Sequence, residues 1–281
     1  YPLRRQRQMC IRDSIHTVFE NIARQKGDHI AIETDEGTIT YQDFNQQANI
    51  LGHLLVQRGF QKEDVIAVFC DNAIVQIASL FGVFKSGTVY LPLNDKYKQN
   101  HWDVLYNSIQ PKAIIITEAH LRTFNTFNHK FAYKIPEVIV VSTNTKNELS
   151  FSIHKNGQEA TIDVEAFQKN RHNLTIEIDG EDTNYIFFTS GSTGKPKAVV
   201  GKHKSLSHFI HWESEELNVS EEDRIGQLTS FSFDASLRDI FLPLINGGRI
   251  CIPSEYAKAD VSELKKWMTD KKITILHTIP T

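Results

Sequence analysis

A short run of small, hydroxylated and basic residues has the composition of a polyanion-binding loop. The sequence from Thr189 to Lys197 is TSGSTGKPK, and it directly follows Tyr185–Phe188, an apolar run that predicts a buried strand. Gly191 and Gly194 allow positive φ and a close approach of backbone to ligand, so that successive N–H groups can converge on an anion. The hydroxyl and ammonium groups add donors and positive charge. We therefore predict a phosphate-binding clamp between two strands, with a solvated Gly/Ser linker as the alternative.

This loop differs from the common nucleotide-binding motif G-x-x-x-x-G-K-[ST]. Counted from Gly191, the second glycine of that motif would fall at residue 196, which is a proline. Lys195 is therefore followed by proline instead of by serine or threonine. Proline removes a backbone donor and disfavours a helix that begins at the lysine. The segment after the loop is thus predicted to be a strand.

A second chemically informative run is FDAS at Phe233–Ser236. A carboxylate at the mouth of a pocket can hold an ammonium group through charge-assisted hydrogen bonds. Asp234 or Ser236 could instead cap the helix predicted from Leu237. Both interpretations of Asp234 stay open on the residues alone.

Several runs in series resemble the adenylate-forming superfamily, which includes acyl-CoA synthetases, luciferases and the adenylation domains of nonribosomal peptide synthetases. The resemblance covers about residues 14 to 281 and is closest to the amino-acid-activating branch. The runs that carry it are the loop with Ala198–Val200, Tyr41–Phe44, Gly87–Leu93, Asp223–Gly226 and Phe231–Ser236.

The resemblance implies roles for individual residues. Asp234 would hold the substrate amine, while Ala235, Arg238 and His277 would line the pocket for the substrate side chain. An unpaired Arg238 would favour a polar or anionic side chain, although pairing with Asp239 is the alternative. His277 could equally be a packed core histidine. The residues implied in binding the phosphates of ATP are Thr189, Ser190, Gly191, Ser192, Thr193, Gly194, Lys195 and Lys197.

The chemistry implied by the resemblance is Mg²⁺-dependent adenylation of an amino acid by ATP. The substrate carboxylate attacks the α-phosphorus and pyrophosphate leaves, so catalysis rests on charge neutralisation and alignment. Thr189 would also contact Mg²⁺. The adenylate would then pass to a phosphopantetheine thiol, which makes carrier and condensation domains the expected partners. An acyl- or aryl-CoA ligase and a non-catalytic docking module remain as alternatives.

The ends of the chain carry two further expectations. Residues 1–13 resemble translated adapter sequence, so residues 14–281 are taken as the partial N-terminal core of an adenylation domain. The family's motifs for adenine, ribose and magnesium, and its catalytic lysine, are expected beyond residue 281. We therefore assign no catalytic residue and expect the polypeptide to be inactive by itself.

Composition excludes some classes of function. A net charge of −3 gives no reason to expect nucleic acid or a membrane as partner. The longest apolar stretch, Ala73 to Phe84, is too short to cross a bilayer and predicts a core helix. Three scattered cysteines make a disulfide framework improbable and favour the cytoplasm.

Alternating patterns predict an α/β fold with mostly parallel strands flanked by helices. Between Ser142 and Thr183 the pattern fails, apart from a weak strand around Phe151, and we expect a surface excursion there. The strands predicted before this region are a hairpin at Ile30–Thr40, then Val65–Phe69, Val89–Leu93, Ala113–Thr117 and Val138–Val141. Those predicted after the loop are Ile225–Thr229, Arg249–Pro253 and Ile273–Leu276, with helices at Ser205–Leu217, Leu237–Ile245 and from Asp260.

Overall fold

A computed structural model describes residues 14–144, 149–155, 158–160, 169–190 and 196–278. Residues 1–13 and 191–195, on which two of the expectations fall, lie outside this range. The described chain divides into two compact units. The first contains residues 14–45, 179–181 and 203–278, and the second contains most of the remainder.

The first unit is built on a five-stranded sheet with the order β13-β11-β12-β1-β2. Its strands are β1 (Ile30–Glu33), β2 (Thr38–Thr40), β11 (Arg224–Gly226), β12 (Arg249–Cys251) and β13 (Ile275–Leu276). Four of them run parallel, and β2 returns antiparallel to β1 through the predicted hairpin. Because the carboxyl ends of parallel strands share one edge, residues that follow β11 and β13 are brought towards each other.

Helices flank this first sheet. They are α1 (Ile15–Gln25), α6 (His203–Leu217), α7 (Ala235–Leu244), α8 (Glu255–Ala259) and α9 (Val261–Asp270). The start of α9 follows the predicted pattern, since the Asp260 carboxylate accepts two backbone N–H groups of the first turn. Tyr41, which opens helix α2 (Tyr41–Gln57), is buried and donates its hydroxyl to the Gly248 carbonyl at 2.6 Å.

The second unit contains an eight-stranded sheet with the order β10-β9-β4-β3-β5-β6-β7-β8. The five central strands are parallel, and the three outer ones are antiparallel to their neighbours. These strands are β3 (Val65–Phe69), β4 (Val89–Pro92), β5 (Ala113–Ile116), β6 (Glu137–Thr143), β7 (Leu149–Lys155), β8 (Gln158–Ala160), β9 (Thr183–Ser190) and β10 (Pro196–Lys202).

The helices of the second unit bury its core. Helix α3 (Ala73–Ser86) is the predicted core helix; it is capped by the Asn72 side chain and ended by Gly87 at φ 74°. Helix α4 (Gln99–Val104), extended by a π turn at Leu105–Ile109, and α5 (Glu118–Asn128) pack large aromatic side chains against the strands. Gly82 lets α3 approach α2 closely, because a Cβ there would lie 2.7 Å from the Leu51 Cβ.

The predicted fold class is confirmed: both sheets are largely parallel and are flanked by helices. The excursion after residue 142 forms more strand than expected. In β7, Leu149, Phe151 and Ile153 are buried while the residues between them are not, an alternation typical of strands with one covered face. Conversely, β11 ends at Gly226 instead of Thr229. The Gln227 N–H makes one more hydrogen bond, to the Cys251 carbonyl, and the chain leaves the sheet after it.

Candidate functional site

The predicted clamp lies in a hairpin of the second unit. Strands β9 and β10 pair antiparallel from Ser190 opposite Pro196 to Thr183 opposite Lys202, which confirms the strand-to-strand prediction. Loop residues 191–195 and the Ser190 side chain lie outside the described residues. At the base of the loop Thr189 stands opposite Lys197, both exposed, and the Thr189 hydroxyl donates to the Lys197 carbonyl at 3.5 Å. Both side chains are therefore accessible to a ligand.

Aromatic packing fixes the base of this hairpin. Phe188, directly before Thr189, is buried edge-on against the rings of Tyr97 and His101. Further along, the Tyr185 ring covers Gly201 so closely that a Cβ at residue 201 would lie 2.1 Å from the ring. The strands beside the loop are thus held in place, while Thr189 and Lys197 face solvent.

Asp234 lies in the first unit, at the position that precedes helix α7. Its side chain makes no capping hydrogen bond, and it is exposed. The first turn is closed instead by the Ser236 hydroxyl, which donates to the Phe233 carbonyl at 2.7 Å. Within the described part of the chain no residue pairs with the Asp234 carboxylate, so the capping interpretation has no support in the geometry. Ala235, the next residue, is also exposed.

Arg238 lies one turn further along α7 and is not an unpaired cation. Its Nη1 is 3.7 Å from Glu213 Oε1, and its Nε is 3.7 Å from Asp239 Oδ1. About a quarter of the side chain, 26%, remains exposed. The expectation of a polar or anionic substrate side chain assumed an unpaired guanidinium, and that premise is not met, because Arg238 pairs with Asp239 as the alternative had it.

His277 follows β13 and is anchored by a buried carboxylate. Its Nδ1 lies 2.9 Å from Asp239 Oδ1, while the other oxygen of Asp239 accepts the Thr229 hydroxyl at 2.7 Å. Asp239 has no exposed surface. Residues that follow β11 and β13 and a residue of α7 therefore meet at one place, and two of the predicted pocket residues, Arg238 and His277, share partners there.

Sequence reasoning missed Glu213, the other partner of these two bases. Glu213 is on α6, and its Oε1 lies 3.9 Å from His277 Nε2. Leu206, Ile210 and Glu213 are all buried and are spaced as one face of a helix. A charged residue at this spacing on an apolar face was the signal that could have revealed it. Burial raises the pKa of Glu213, and nearby Asp239 adds to the rise against the opposing effect of Arg238 and His277.

Other predicted features can be checked directly. Cys70 and Cys251 are free thiols, as expected, and Cys10 lies outside the described residues. No group of three or more His, Cys, Asp or Glu side chains in the described ranges could hold a metal ion. Of the helices described, none is both long and apolar enough to span a membrane.

A family model for AMP-binding enzymes matches residues 19–281. The chain belongs to this family. The resemblance to adenylate-forming enzymes is thereby confirmed.

Among curated relatives, gramicidin S synthase 2 of Brevibacillus brevis is 27% identical over 267 residues, which cover 94% of this chain and 5% of that protein. The dimodular nonribosomal peptide synthase of Bacillus subtilis is 29% identical over 269 residues, covering 95% of this chain and 10% of that protein. This AMP-binding chain thus spans only a small part of the relatives that it matches.

A solved structure of the nonribosomal peptide synthetase FmoA3 bound to alpha-methyl-L-serine-AMP has the same fold. It superposes with a TM-score of 0.74 at 20% identity and covers 94% of this chain and 26% of that one. At this identity the similarity establishes the fold alone.

Proposed function

We propose that this AMP-binding chain takes part in activating an amino acid for nonribosomal peptide synthesis. An oxygen of the substrate carboxylate forms a bond to the α-phosphorus of ATP. The bond between the α-phosphorus and the oxygen that bridges the α- and β-phosphates breaks at the same time. The products are an aminoacyl adenylate and pyrophosphate, which leaves with the displaced charge. The aminoacyl group would then be transferred to the phosphopantetheine thiol of a carrier domain, with carrier and condensation domains as partners.

The observation that carries this proposal is the Asp234 carboxylate. It is exposed at the start of α7, makes no capping bond, and has two predicted pocket residues, Arg238 and His277, in the same unit. A carboxylate left without a structural role is suited to an α-ammonium group, which it can bind by charge-assisted hydrogen bonds. No observation of comparable weight favours the CoA ligase or the docking module.

On the phosphate side, Thr189 and Lys197 present a hydroxyl and an ammonium group from a rigid hairpin base. We propose that they bind the β- and γ-phosphates together with the loop residues predicted from the sequence. Lysine supplies positive charge as negative charge develops on pyrophosphate. A hydroxyl oxygen is also a suitable ligand for Mg²⁺, a hard cation that keeps several waters and needs few protein ligands. Bound Mg²⁺ would neutralise phosphate charge, and Thr189 is the described residue that fits it.

The relatives support the same reaction class. The dimodular synthase is named as a nonribosomal peptide synthase, and the nonribosomal peptide synthetase FmoA3 was solved with alpha-methyl-L-serine-AMP bound. An amino-acid substrate for this chain is an inference from these proteins together with Asp234.

Binding of amino acids to the purified chain tests the proposal without requiring turnover. Titration calorimetry with a panel of amino acids should show binding that Asp234→Asn weakens by about tenfold or more, since a charged partner of the amine is lost. The same variant should bind Mg²⁺·ATP as the wild type does.

The matched ligand control is the carboxylic acid that lacks the α-amine. This acid should bind the wild type weakly, and its dissociation constant should be the same for Asp234→Asn. Equal binding of an amino acid and its deaminated counterpart would refute amine recognition and favour an acyl- or aryl-acid substrate.

A further inference from the structure

Four ionisable side chains of the first unit form a compact group, which we call the charge cluster: Glu213, Arg238, Asp239 and His277. Oppositely charged atoms within it lie between 2.9 and 3.9 Å apart. Two carboxylates and one guanidinium leave a formal charge of −1 when the imidazole is neutral. The cluster as a whole is therefore not a positive site, although two of its four members are bases.

Within the charge cluster Asp239 already has its hydrogen bonds. One oxygen faces His277 Nδ1 and the other accepts from Thr229, and the residue is fully buried. Because an ionised carboxylate only accepts hydrogen bonds, His277 Nδ1 must carry the proton in this contact. The second nitrogen, Nε2, is then the atom that faces Glu213. Asp239 thus positions the ring and leaves Glu213 as the carboxylate that has still to be balanced.

Glu213 is 8% exposed and lacks hydrogen-bond partners that its burial would require. Its Oε2 is fully buried and has no hydrogen-bond partner among the described residues. Its Oε1 lies 3.7 Å from Arg238 and 3.9 Å from His277, beyond the usual length of a direct hydrogen bond. Such an under-coordinated carboxylate exerts its charge in a poorly screened environment. It would repel a second carboxylate brought close to Arg238.

We propose that Glu213 is a specificity-determining residue: by neutralising Arg238 it makes the site reject a carboxylate on the substrate side chain and prefer an uncharged polar group of the same shape. This inference rests on the proposed function, since it takes Arg238 and His277 as the residues next to the bound side chain. A hydroxyl or carboxamide both donates and accepts, which suits a site that contains an acidic and a basic group. The charge preference is thus opposite to that of an isolated arginine.

The experiment compares amino acids of equal shape and different charge: asparagine with aspartate, and glutamine with glutamate. Dissociation constants are measured by titration calorimetry on the wild type and on Glu213→Gln, which keeps the shape and removes the charge. The wild type should bind the amide of each pair more tightly. Glu213→Gln should shift the amide-to-acid affinity ratio towards the acid by at least tenfold, because it takes the formal charge of the cluster from −1 to 0 and so removes the repulsion of a second carboxylate.

Two further variants keep this test decisive. Arg238→Gln leaves Glu213 without its cation and should shift the ratio at least threefold in the opposite direction, towards the amide. Glu215→Gln, an exposed carboxylate on the same helix, should leave the ratio unchanged. Thermal unfolding establishes whether each variant is folded. If Glu213→Gln does not fold, the affinity ratio of Arg238→Gln tests the proposal.

The outcomes separate this inference from the function on which it rests. If both variants bind amino acids with the amide-to-acid ratio of the wild type, Glu213 does not set the charge preference and amino-acid binding still stands. If the wild type prefers aspartate, the cluster acts as a positive site and the proposal is overturned. If no amino acid binds to any variant, the proposed function fails together with this inference.

Discussion

Replacing Glu33 by glutamine would remove a carboxylate that three cations of the first unit share. Arg224 Nη2 and Arg249 Nη1 each lie 2.7 Å from Glu33 Oε2, and Lys271 Nζ lies 3.0 Å from Oε1. Arg224 is the first residue of β11, Arg249 is the first residue of β12, and Lys271 directly follows α9. A single side chain at the end of β1 therefore connects three other segments. Burial alone would raise the pKa of Glu33, but the hydrogen bonds from Arg249 and Lys271, together with the charges of Arg224 and Lys271, outweigh it and lower the pKa.

The size of the effect follows from the number and exposure of the contacts. A hydrogen bond to a charged group contributes roughly 1.5–3 kcal/mol when buried, and exposed ion pairs contribute about 0–1 kcal/mol. The three cations keep 22–26% of their side chains exposed and Glu33 keeps 13%, which places each contact between the two ranges, at about 1 kcal/mol. We expect Glu33→Gln to lose about 3 kcal/mol of unfolding free energy and to lower Tm by about 10 °C.

Urea unfolding followed by circular dichroism measures this loss. Glu255→Gln is the matched control, since Glu255 also pairs with a lysine, Lys258, at 2.8 Å but is 89% exposed; it should change stability by less than about 0.5 kcal/mol. Because the folded pKa of Glu33 lies below its ordinary value of 4.5, its contribution is present above that value and is lost as pH falls through the folded pKa. A Glu33→Gln variant as stable as the control, or with the acid sensitivity of the wild type, would refute the reasoning.

Three further predictions concern packing, capping and burial. Gly82→Ala should destabilise the protein by about 1–2 kcal/mol in urea unfolding, because the clash with Leu51 exceeds the gain in helix propensity. Asp260→Ala should cost about 1 kcal/mol by the same measurement, since two first-turn N–H groups lose their acceptor, whereas Asp260→Asn should cost less. Burial raises the pKa of Cys251 to about 11, so iodoacetamide at pH 8 should modify it, as judged by mass spectrometry, only after unfolding.

The fold class could be predicted because local patterns and tertiary structure agree over most of the chain. Strands β3, β4 and β5 are continuous apolar runs bounded by turns, as expected for parallel strands covered on both faces. Thr40 and Asp43, at the turn before α2, have the spacing of a capping box. The Asp43 N–H does bond to the Thr40 hydroxyl at 3.1 Å, but the Asp43 carboxylate accepts from that hydroxyl instead of from the backbone.

Strand ends were less predictable because tertiary contacts decide them. Leu228 and Thr229 add an apolar and a β-branched residue after β11, yet the strand ends at Gly226. Thr229 is taken out of the strand and donates to Asp239, a contact ten residues along the chain that no periodicity indicates. The element was therefore predicted correctly in kind and too long by three residues.

The candidate site shows the same division between residue identity and residue environment. Motif matching selected Asp234, Arg238 and His277 by position, and the structure places Arg238 and His277 around common carboxylates. Motif matching could not predict the charge that Arg238 presents to a ligand, because that charge depends on Glu213, which is on another helix.

A charged side chain has a chemical meaning only together with its partners. Arg238 alone would attract a carboxylate, but the same arginine between Glu213 and Asp239 belongs to a group whose formal charge is −1 with neutral His277. Two proteins with identical residues at the motif positions could therefore select side chains of different charge if one of them lacked the acidic residue on α6. Substrate charge in this family should follow the summed charge around the pocket more closely than the identity of any one residue that lines it.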